Sequence, residues 1–155
     1  MQAHVIKALA DAFVALIRRG EGTTEANEAA LQRLLDQLDR ARDCVEFEFD
    51  DRVYPEPPEW PYETRRALIC ERFERYGMYD VTDPARDLGH ENMTDVGDAI
   101  DDIADIVGEL SDVVWLWEHT SQGNALWYFH FSYKTHWGEH LRELKSYLLA
   151  LESAQ

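Results

Sequence analysis

Two histidines and three aspartates have the types and the spacing that a metal site between two helices requires. His136 and His140 are four residues apart, so on a helix they lie one turn apart on one face. Asp98, Asp102 and Asp105 recur at steps of four and three in an earlier segment. Imidazoles and carboxylates from facing helices of a bundle suit iron, manganese or zinc. These five residues are therefore candidate metal ligands.

The same residues also fit a structural interpretation without a metal. Histidines in an aromatic-rich helix commonly donate hydrogen bonds to carboxylates on the next helix. A row of acidic side chains is, by itself, typical of a solvated helix face. The residues alone favour a structural Asp–His network over a metal site, and on this interpretation no cofactor is expected.

A second acidic pattern resembles the magnesium site of the all-α nucleoside triphosphate pyrophosphatases. Glu71 and Glu74 in one predicted helix precede Glu109 and Asp112 in the next. Clustered carboxylates suit Mg²⁺, which takes oxygen ligands and bridges phosphates. The chain departs from that pattern because Cys70 stands where a second glutamate is expected, and no cluster of Lys or Arg follows. A hydrolase of this kind belongs to the alternative function.

A long amphipathic segment, Asp95–Glu118, must position most of the acidic side chains. Its apolar residues recur at steps of four and three, which predicts one buried helical stripe. The stripe consists of Ala99, Ile103, Ile106, Leu110, Val113 and Trp117. The acidic residues have the same spacing but each stands one position before an apolar residue of the stripe, so they lie on a flank beside it. The two histidines belong to the last predicted helix, from about Ala125 to Leu151, which we expect to be an antiparallel neighbour.

The remaining patterns predict an all-α fold, a bundle of about five helices in a single domain covering residues 1–155. Between the second and third helices, Val45–Trp60 is rich in proline and predicts an extended connection laid over the bundle. Tyr54 and Trp60 are expected to hold this connection to the surface. Their exposure would instead make the connection a docking site for a protein partner.

Composition limits the classes of partner. The 155 residues carry 31 acidic and 15 basic side chains, a formal net charge of −16. Such a field repels nucleic acid and anionic membranes, and it favours a metal ion or a protein partner, for which a basic surface would be the electrostatic match. A homo-oligomer is not excluded. Cys44 and Cys70 provide no disulfide framework, and without a signal peptide we expect free thiols in a cytoplasmic protein.

Three motifs resemble a bacterial family known as a domain of unknown function, number 5063. They are YGMYDVTDP (Tyr76–Pro84), DAIDDIADIVGEL (Asp98–Leu110) and FSYKTHWGEHLRELKSYL (Phe131–Leu148). The resemblance implies a helical cytosolic protein, and it carries no established activity, substrate or catalytic residue.

Two functions remain open from the sequence. The first is a soluble, non-enzymatic helical protein that acts through protein contacts and contains a structural Asp–His network. The alternative is a metalloprotein, or a metal-dependent hydrolase, with a carboxylate and histidine site between the last two helices. The divalent metal in that case would be magnesium, manganese, iron or zinc. Whether the protein is an enzyme is not decided by these patterns.

Overall fold

Helices account for most of the residues described, 2–85 and 95–154, in this computed structural model, which confirms the all-α prediction. In chain order the elements are α1 (Gln2–Arg19), α2 (Thr24–Ala41), α3 (Tyr62–Arg72), β1 (Met78–Asp80), β2 (Val96–Asp98), α4 (Ala99–His119), α5 (Gln122–Ser132), a π-helical turn (Tyr133–Trp137) and α6 (Gly138–Ser153). The last three elements follow one another without a break and form the predicted final helix, extended at both ends.

Helix α4 lies at the centre, where it packs against α1, α3, α5 and α6. The predicted apolar stripe is fully buried from Ala99 to Val113, whereas Trp117 is only partly buried. The buried surface of α4 is wider than one stripe, because neighbouring helices cover it from several sides. The additional buried apolar residues are Ile100, Ala104, Val107 and Leu116. A helix buried on several faces can present its acidic residues to other helices rather than to water.

The structure corrects the predicted start of this helix. Residues Val96–Asp98 form β2, which pairs antiparallel with β1 in the register Met78↔Asp98 and Tyr79↔Gly97. A Cβ at Gly97 would lie 2.3 Å from the ring of its cross-strand partner Tyr79, so glycine leaves room for this ring, whose hydroxyl reaches Asp102 of α4. Helix α4 therefore begins at Ala99, after the short strand.

The π-helical turn interrupts the last helix at the histidine motif. The backbone N–H of Gly138 donates to the carbonyl of Tyr133, five residues earlier. A Cβ at Gly138 would lie 2.5 Å from this carbonyl oxygen, so the absence of a side chain accommodates the wider turn. His136 lies inside the turn and His140 lies just after it, in α6. π turns of this kind occur frequently at functional sites.

Residues 42–61 contain no regular helix or strand beyond the end of α2, as predicted for the connection. Val45 is buried, and the Phe47 ring stacks on the His130 ring at 5.0 Å between centroids. Asp50 accepts hydrogen bonds from Tyr54 and from Ser121, the N-cap residue of α5. These contacts hold the connection against the last helix.

Two further observations concern the cysteines and the length of the apolar helices. Cys44 and Cys70 are both exposed, free thiols. Among residues 2–85 and 95–154, no helix is both long enough and apolar enough to cross a bilayer.

Candidate metal centre

The structure brings both histidines to one carboxylate of α4. Asp105 Oδ2 lies 3.0 Å from His140 Nε2 and 3.5 Å from His136 Nε2. Two ligands that each lie about 2.1 Å from one metal ion, at tetrahedral or octahedral angles, are roughly 3.0–3.4 Å apart. The two distances from Asp105 are therefore close to those between ligands of a single ion, and the three donor atoms all lie within 4.8 Å of one another.

The other nitrogen of each imidazole faces a second carboxylate. His140 Nδ1 is 2.7 Å from Asp102 Oδ1, and His136 Nδ1 is 3.1 Å from Glu109 Oε1. Histidines that bind metals generally donate their remaining N–H to a carboxylate or carbonyl, which fixes the tautomer and the orientation of the ring. With Nδ1–H donated in this way, Nε2 is the nitrogen left to bind an ion, and in both rings it is the nitrogen near Asp105. We call these five residues, Asp102, Asp105, Glu109, His136 and His140, the His–Asp cluster.

Tyrosine hydroxyls donate hydrogen bonds to the two carboxylates that face the Nδ1 atoms, Asp102 and Glu109. The buried Tyr79 hydroxyl donates to the buried Asp102, and the Tyr128 hydroxyl donates to Glu109 Oε2 at 2.5 Å. On the neighbouring side, Tyr62 donates to Asp101. The acidic row of α4 is therefore not a solvated flank, because its carboxylates accept hydrogen bonds from surrounding elements.

Antiparallel packing explains why these groups meet. His140 contacts Asp102 and Asp105, and one turn earlier in the last helix His136 contacts Asp105 and Glu109. Moving further back along that helix, Tyr128 contacts Glu109. Along this series of contacts, residue numbers decrease on the last helix while they increase on α4. The contacted residues of α4 are three or four positions apart, which is close to one helical turn. The three- and four-residue spacing of the acidic side chains therefore places them opposite His140, His136 and Tyr128 in succession.

Burial and charge set the protonation of the cluster. Hydrogen bonds to Asp102 and Asp105 raise the pKa of His140 to about 10, against the opposing effect of burial. Burial raises the pKa of Asp102. Burial acts in the same direction on Asp105, but its hydrogen bond to His140 and the positive charge of the histidines hold its pKa below the usual value. In the metal-free protein, a charged His140 thus lies between two carboxylates. A divalent cation would take the place of the proton on Nε2.

Asp98 does not join the cluster, contrary to the sequence prediction. It is the N-cap residue of α4, where Oδ1 accepts a hydrogen bond from the Ile100 N–H at 2.9 Å. Its other oxygen accepts a hydrogen bond from Arg66 at 3.0 Å. Because the helix starts at Ala99 rather than at Asp95, Asp98 lies in extended backbone and serves the helix terminus instead.

The pyrophosphatase-like pattern is also not assembled. Tyr62 contacts Asp101 and Arg66 contacts Asp98, so α3 runs antiparallel to the first turns of α4. Glu71 therefore lies beyond the start of α4, whereas Glu109 lies eleven residues after Asp98, about 16 Å along the helix.

The remaining members of that pattern have other neighbours. Glu74 lies after the end of α3 and accepts a hydrogen bond from Thr24, at the start of α2. Asp112 lies near Tyr128 of α5, at 3.4 Å from the hydroxyl. The two carboxylate pairs are therefore at different places in the molecule and cannot hold one Mg²⁺ ion.

Tyr54 and Trp60 are both partly buried in the connection. Besides its bond to Asp50, Tyr54 lies beneath the guanidinium of Arg52 at 5.5 Å. The Arg18 guanidinium stacks 3.9 Å above the Trp60 ring, which packs against the hydrophobic core. Trp60 thus holds the connection to the bundle, as one of the two expectations required, whereas the contacts of Tyr54 with Asp50 and Arg52 lie within the connection.

A small cavity of about 180 Å³ opens beside the cluster. Its lining includes two of the candidate ligands, Asp105 and His136, together with Arg65. The Pro57–Trp60 part of the connection forms the opposite wall. The His136 side chain is 43% exposed, so an ion can reach the cluster from solvent.

Three residues around the site, Glu109, Tyr79 and Tyr128, were not predicted from the sequence to belong to it. Glu109 was assigned to the pyrophosphatase pattern, although its spacing from Asp105 already placed it one turn further along the same flank. Tyr79 and Tyr128 gave no local signal, since a tyrosine on a strand or a helix is most often a core residue. Only the three-dimensional packing shows that their hydroxyls face carboxylates.

The comparisons with known proteins support the fold and give no activity for this chain. The crystal structure of protein BF1032 from Bacteroides fragilis is similar, with a TM-score of 0.77 and 15% sequence identity, over 100% of this chain and 92% of that one. No curated protein matches the sequence. The family model described as "Domain of unknown function (DUF5063)" matches residues 2–154. Since this match covers almost the whole chain, the protein belongs to the DUF5063 family.

Proposed function

We propose that the protein binds a divalent transition metal, iron, manganese or zinc, through His136, His140 and Asp105. One observation carries the proposal: two Nε2 atoms converge on one carboxylate oxygen while both Nδ1 atoms face other carboxylates. A purely structural ion pair would need only one nitrogen of each ring. The mixed nitrogen and oxygen donors suit these metals better than Mg²⁺ or Ca²⁺, which take oxygen ligands.

The proposed ligand set leaves coordination positions open. Structural zinc sites generally use four protein ligands, whereas three protein ligands with an exchangeable water are typical of catalytic sites. Two histidines and one carboxylate are also the ligands of many non-haem iron centres. The cavity beside Asp105 and His136 is where an exchangeable ligand would enter. These features support a metal centre that takes part in chemistry.

A competing ligand set shares His140. The donor atoms of Asp101, Asp102 and His140 also lie within 4.8 Å of one another. However, Asp101 and Asp102 already accept hydrogen bonds from Tyr62 and Tyr79, and Asp102 is buried. Moving these carboxylates onto an ion would break two hydrogen bonds, so the Asp105 set is favoured.

Metal titration of chelator-treated protein tests the proposal. We expect one equivalent of zinc, manganese or ferrous iron to bind, with binding abolished in the His136→Ala/His140→Ala variant and weakened at least tenfold in Asp105→Asn. His119→Ala is the matched control, because His119 is an exposed histidine outside the cluster and should leave binding unchanged. Absence of stoichiometric binding in the wild type, with full stability without metal, would favour the structural Asp–His network instead.

The hypothesis that the protein acts through contacts with a protein partner is supported by other residues. The acidic row is largely occupied by internal hydrogen bonds and is a poor docking surface for a partner. The exposed apolar residues of the connection suit that role better, since Val53 is 98% and Phe49 64% exposed. A protein partner, or a second copy of the chain, at this surface stays a prediction.

A further inference from the structure

We propose that the cavity beside the metal centre binds a small monocarboxylate, held between the metal ion and the guanidinium of Arg65. The inference rests on the proposed metal site and adds the class of ligand that the site would take. It is carried by the position of Arg65, by the glycine that the guanidinium lies against, and by the charges that line the cavity.

Arg65 is held in place by backbone carbonyls rather than by a carboxylate. Its Nε donates to the Ala104 carbonyl at 3.0 Å, and Nη1 donates to the Trp60 carbonyl. Its Nη2 makes no hydrogen bond to the residues that the structure describes, and none of their carboxylates forms an ion pair with it. Its charge acts on Asp105 and Asp112 without a direct ion pair, so the partly buried guanidinium that lines the cavity keeps donor capacity for an anion at Nη2.

Gly108 lets this guanidinium lie against α4. A Cβ at Gly108 would be 3.0 Å from Arg65 Cζ and 3.2 Å from Nη2. Glycine weakens a helix interior, and α4 carries it one turn after Ala104, where the guanidinium crosses the helix. The absence of a side chain at Gly108 therefore permits this close approach, because a Cβ there would require the guanidinium to shift by a few tenths of an ångström.

Arg65 lines the same cavity as Asp105 and His136 of the proposed metal site. Pro57, Pro58 and Trp60 form an apolar wall, which suits a short carbon chain. With a volume of about 180 Å³, the cavity admits only a small molecule. A carboxylate could place one oxygen on the ion and the other on the guanidinium, whose planar donors match carboxylate geometry.

The lining charges favour a single negative charge on the ligand. Glu59, Glu109 and Asp112 also line the cavity. These carboxylates repel a multiply charged anion more strongly than a monoanion. The balance of the ion, Arg65 and these acids selects against phosphate, which carries more charge than a monocarboxylate at neutral pH.

Cobalt-loaded protein provides the test, since the visible absorption of Co²⁺ reports on its ligands. We expect sodium acetate to change the spectrum in a saturable way and inorganic phosphate to bind more weakly. Arg65→Gln should weaken acetate binding by about tenfold or more, because a charge-assisted hydrogen bond is lost, and should leave Co²⁺ affinity nearly unchanged. Arg66→Gln is the control: this neighbouring arginine pairs with Asp98 away from the cavity and should not alter acetate binding.

Each result separates the inference from the metal proposal. Co²⁺ binding without any acetate effect, or an acetate effect equal in Arg65→Gln and wild type, overturns the inference and leaves the metal site standing. Tighter binding of phosphate than of acetate also overturns it. Failure of the wild type to bind Co²⁺ overturns both. Should Arg65→Gln not fold, Arg65→Lys keeps the positive charge but removes the planar donors, and weakened acetate binding is expected there too.

Discussion

His140 lies between Asp102 and Asp105, and this position makes its protonation depend on folding. Its pKa is raised from 6.5 in the unfolded chain to about 10 in the folded, metal-free protein. A raised pKa means that the folded state holds the proton more tightly. The resulting stabilisation is therefore fully present below about pH 6.5 and is lost as the pH rises through about 10.

Replacing this imidazole should destabilise the metal-free protein. We expect His140→Leu to lower the free energy of unfolding by about 1–3 kcal/mol at pH 6, because the buried Asp102 loses a charged partner. The difference from wild type should shrink as the pH approaches 10. Urea unfolding of chelator-treated protein at pH 6, 8 and 10 measures it, with the exposed His119→Leu as control. A difference of a few tenths of a kcal/mol at pH 6 would contradict the predicted burial of the pair.

At Asp112, unlike at His140, the fold disfavours the charged form of the side chain. Burial and the charge of Glu109 raise its pKa from 3.8 to about 6, so its charged form destabilises the folded protein. The folded state gains from the proton below about pH 4, and that gain is lost as the pH rises through 6.

Removing the charge at residue 112 should therefore stabilise the protein at neutral pH. We expect Asp112→Asn to raise the free energy of unfolding by about 1 kcal/mol at pH 7 and by nothing measurable at pH 4. Denaturant melts at the two pH values test this, with Asp51→Asn as an exposed control. An equal effect at both pH values would show that the change acts through packing rather than through charge.

Among the elements, the π-helical turn contains His136 and directly precedes the helix that carries His140. The sequence did not reveal it, because one extra residue in a turn hardly alters the apolar spacing of the helix. The β1–β2 pair was also missed, since three residues are too few to show alternation and the partner strand lies far along the chain. By contrast, α4 was recognised because its periodicity extends over several turns.

Gly138 provides a test of the turn. An added Cβ would lie 2.5 Å from the Tyr133 carbonyl and 3.0 Å from its ring, so the turn must rearrange. We expect Gly138→Ala to lower stability by about 1–3 kcal/mol and to weaken metal binding, because His136 lies within the turn. Gly77→Ala is the matched control, since a Cβ there meets nothing within 4 Å. Unchanged stability and metal affinity in Gly138→Ala would mean that the turn does not depend on this glycine.

In the whole molecule, the site depends on two long helices, α4 and the last helix, whose polar faces contact each other. That meeting could be predicted, because both segments are amphipathic and antiparallel packing brings Asp102 and Asp105 to His136 and His140. The outer hydroxyls could not be predicted, since Tyr79 comes from a strand distant in sequence. The 15% identity to the Bacteroides fragilis protein, with a TM-score of 0.77, shows that this architecture tolerates extensive sequence change.

A bound metal should stabilise the whole fold. An ion at 100 times its dissociation constant contributes about 2.7 kcal/mol, which for a chain of this length raises the melting temperature by on the order of 5–10 °C. We expect zinc to produce such a shift in the wild type and none in His136→Ala/His140→Ala. A shift of equal size in that variant would indicate that the ion binds the acidic surface through the net charge of −16 instead.

Anomalous diffraction from crystals soaked in zinc tests the metal centre most directly. The account predicts a peak at the zinc absorption edge about 2.0–2.2 Å from His136 Nε2, His140 Nε2 and an Asp105 oxygen, with both Nδ1 atoms still bound to Asp102 and Glu109. Diffraction that shows zinc only at other surface positions, with His140 still hydrogen-bonded to Asp105, would contradict it.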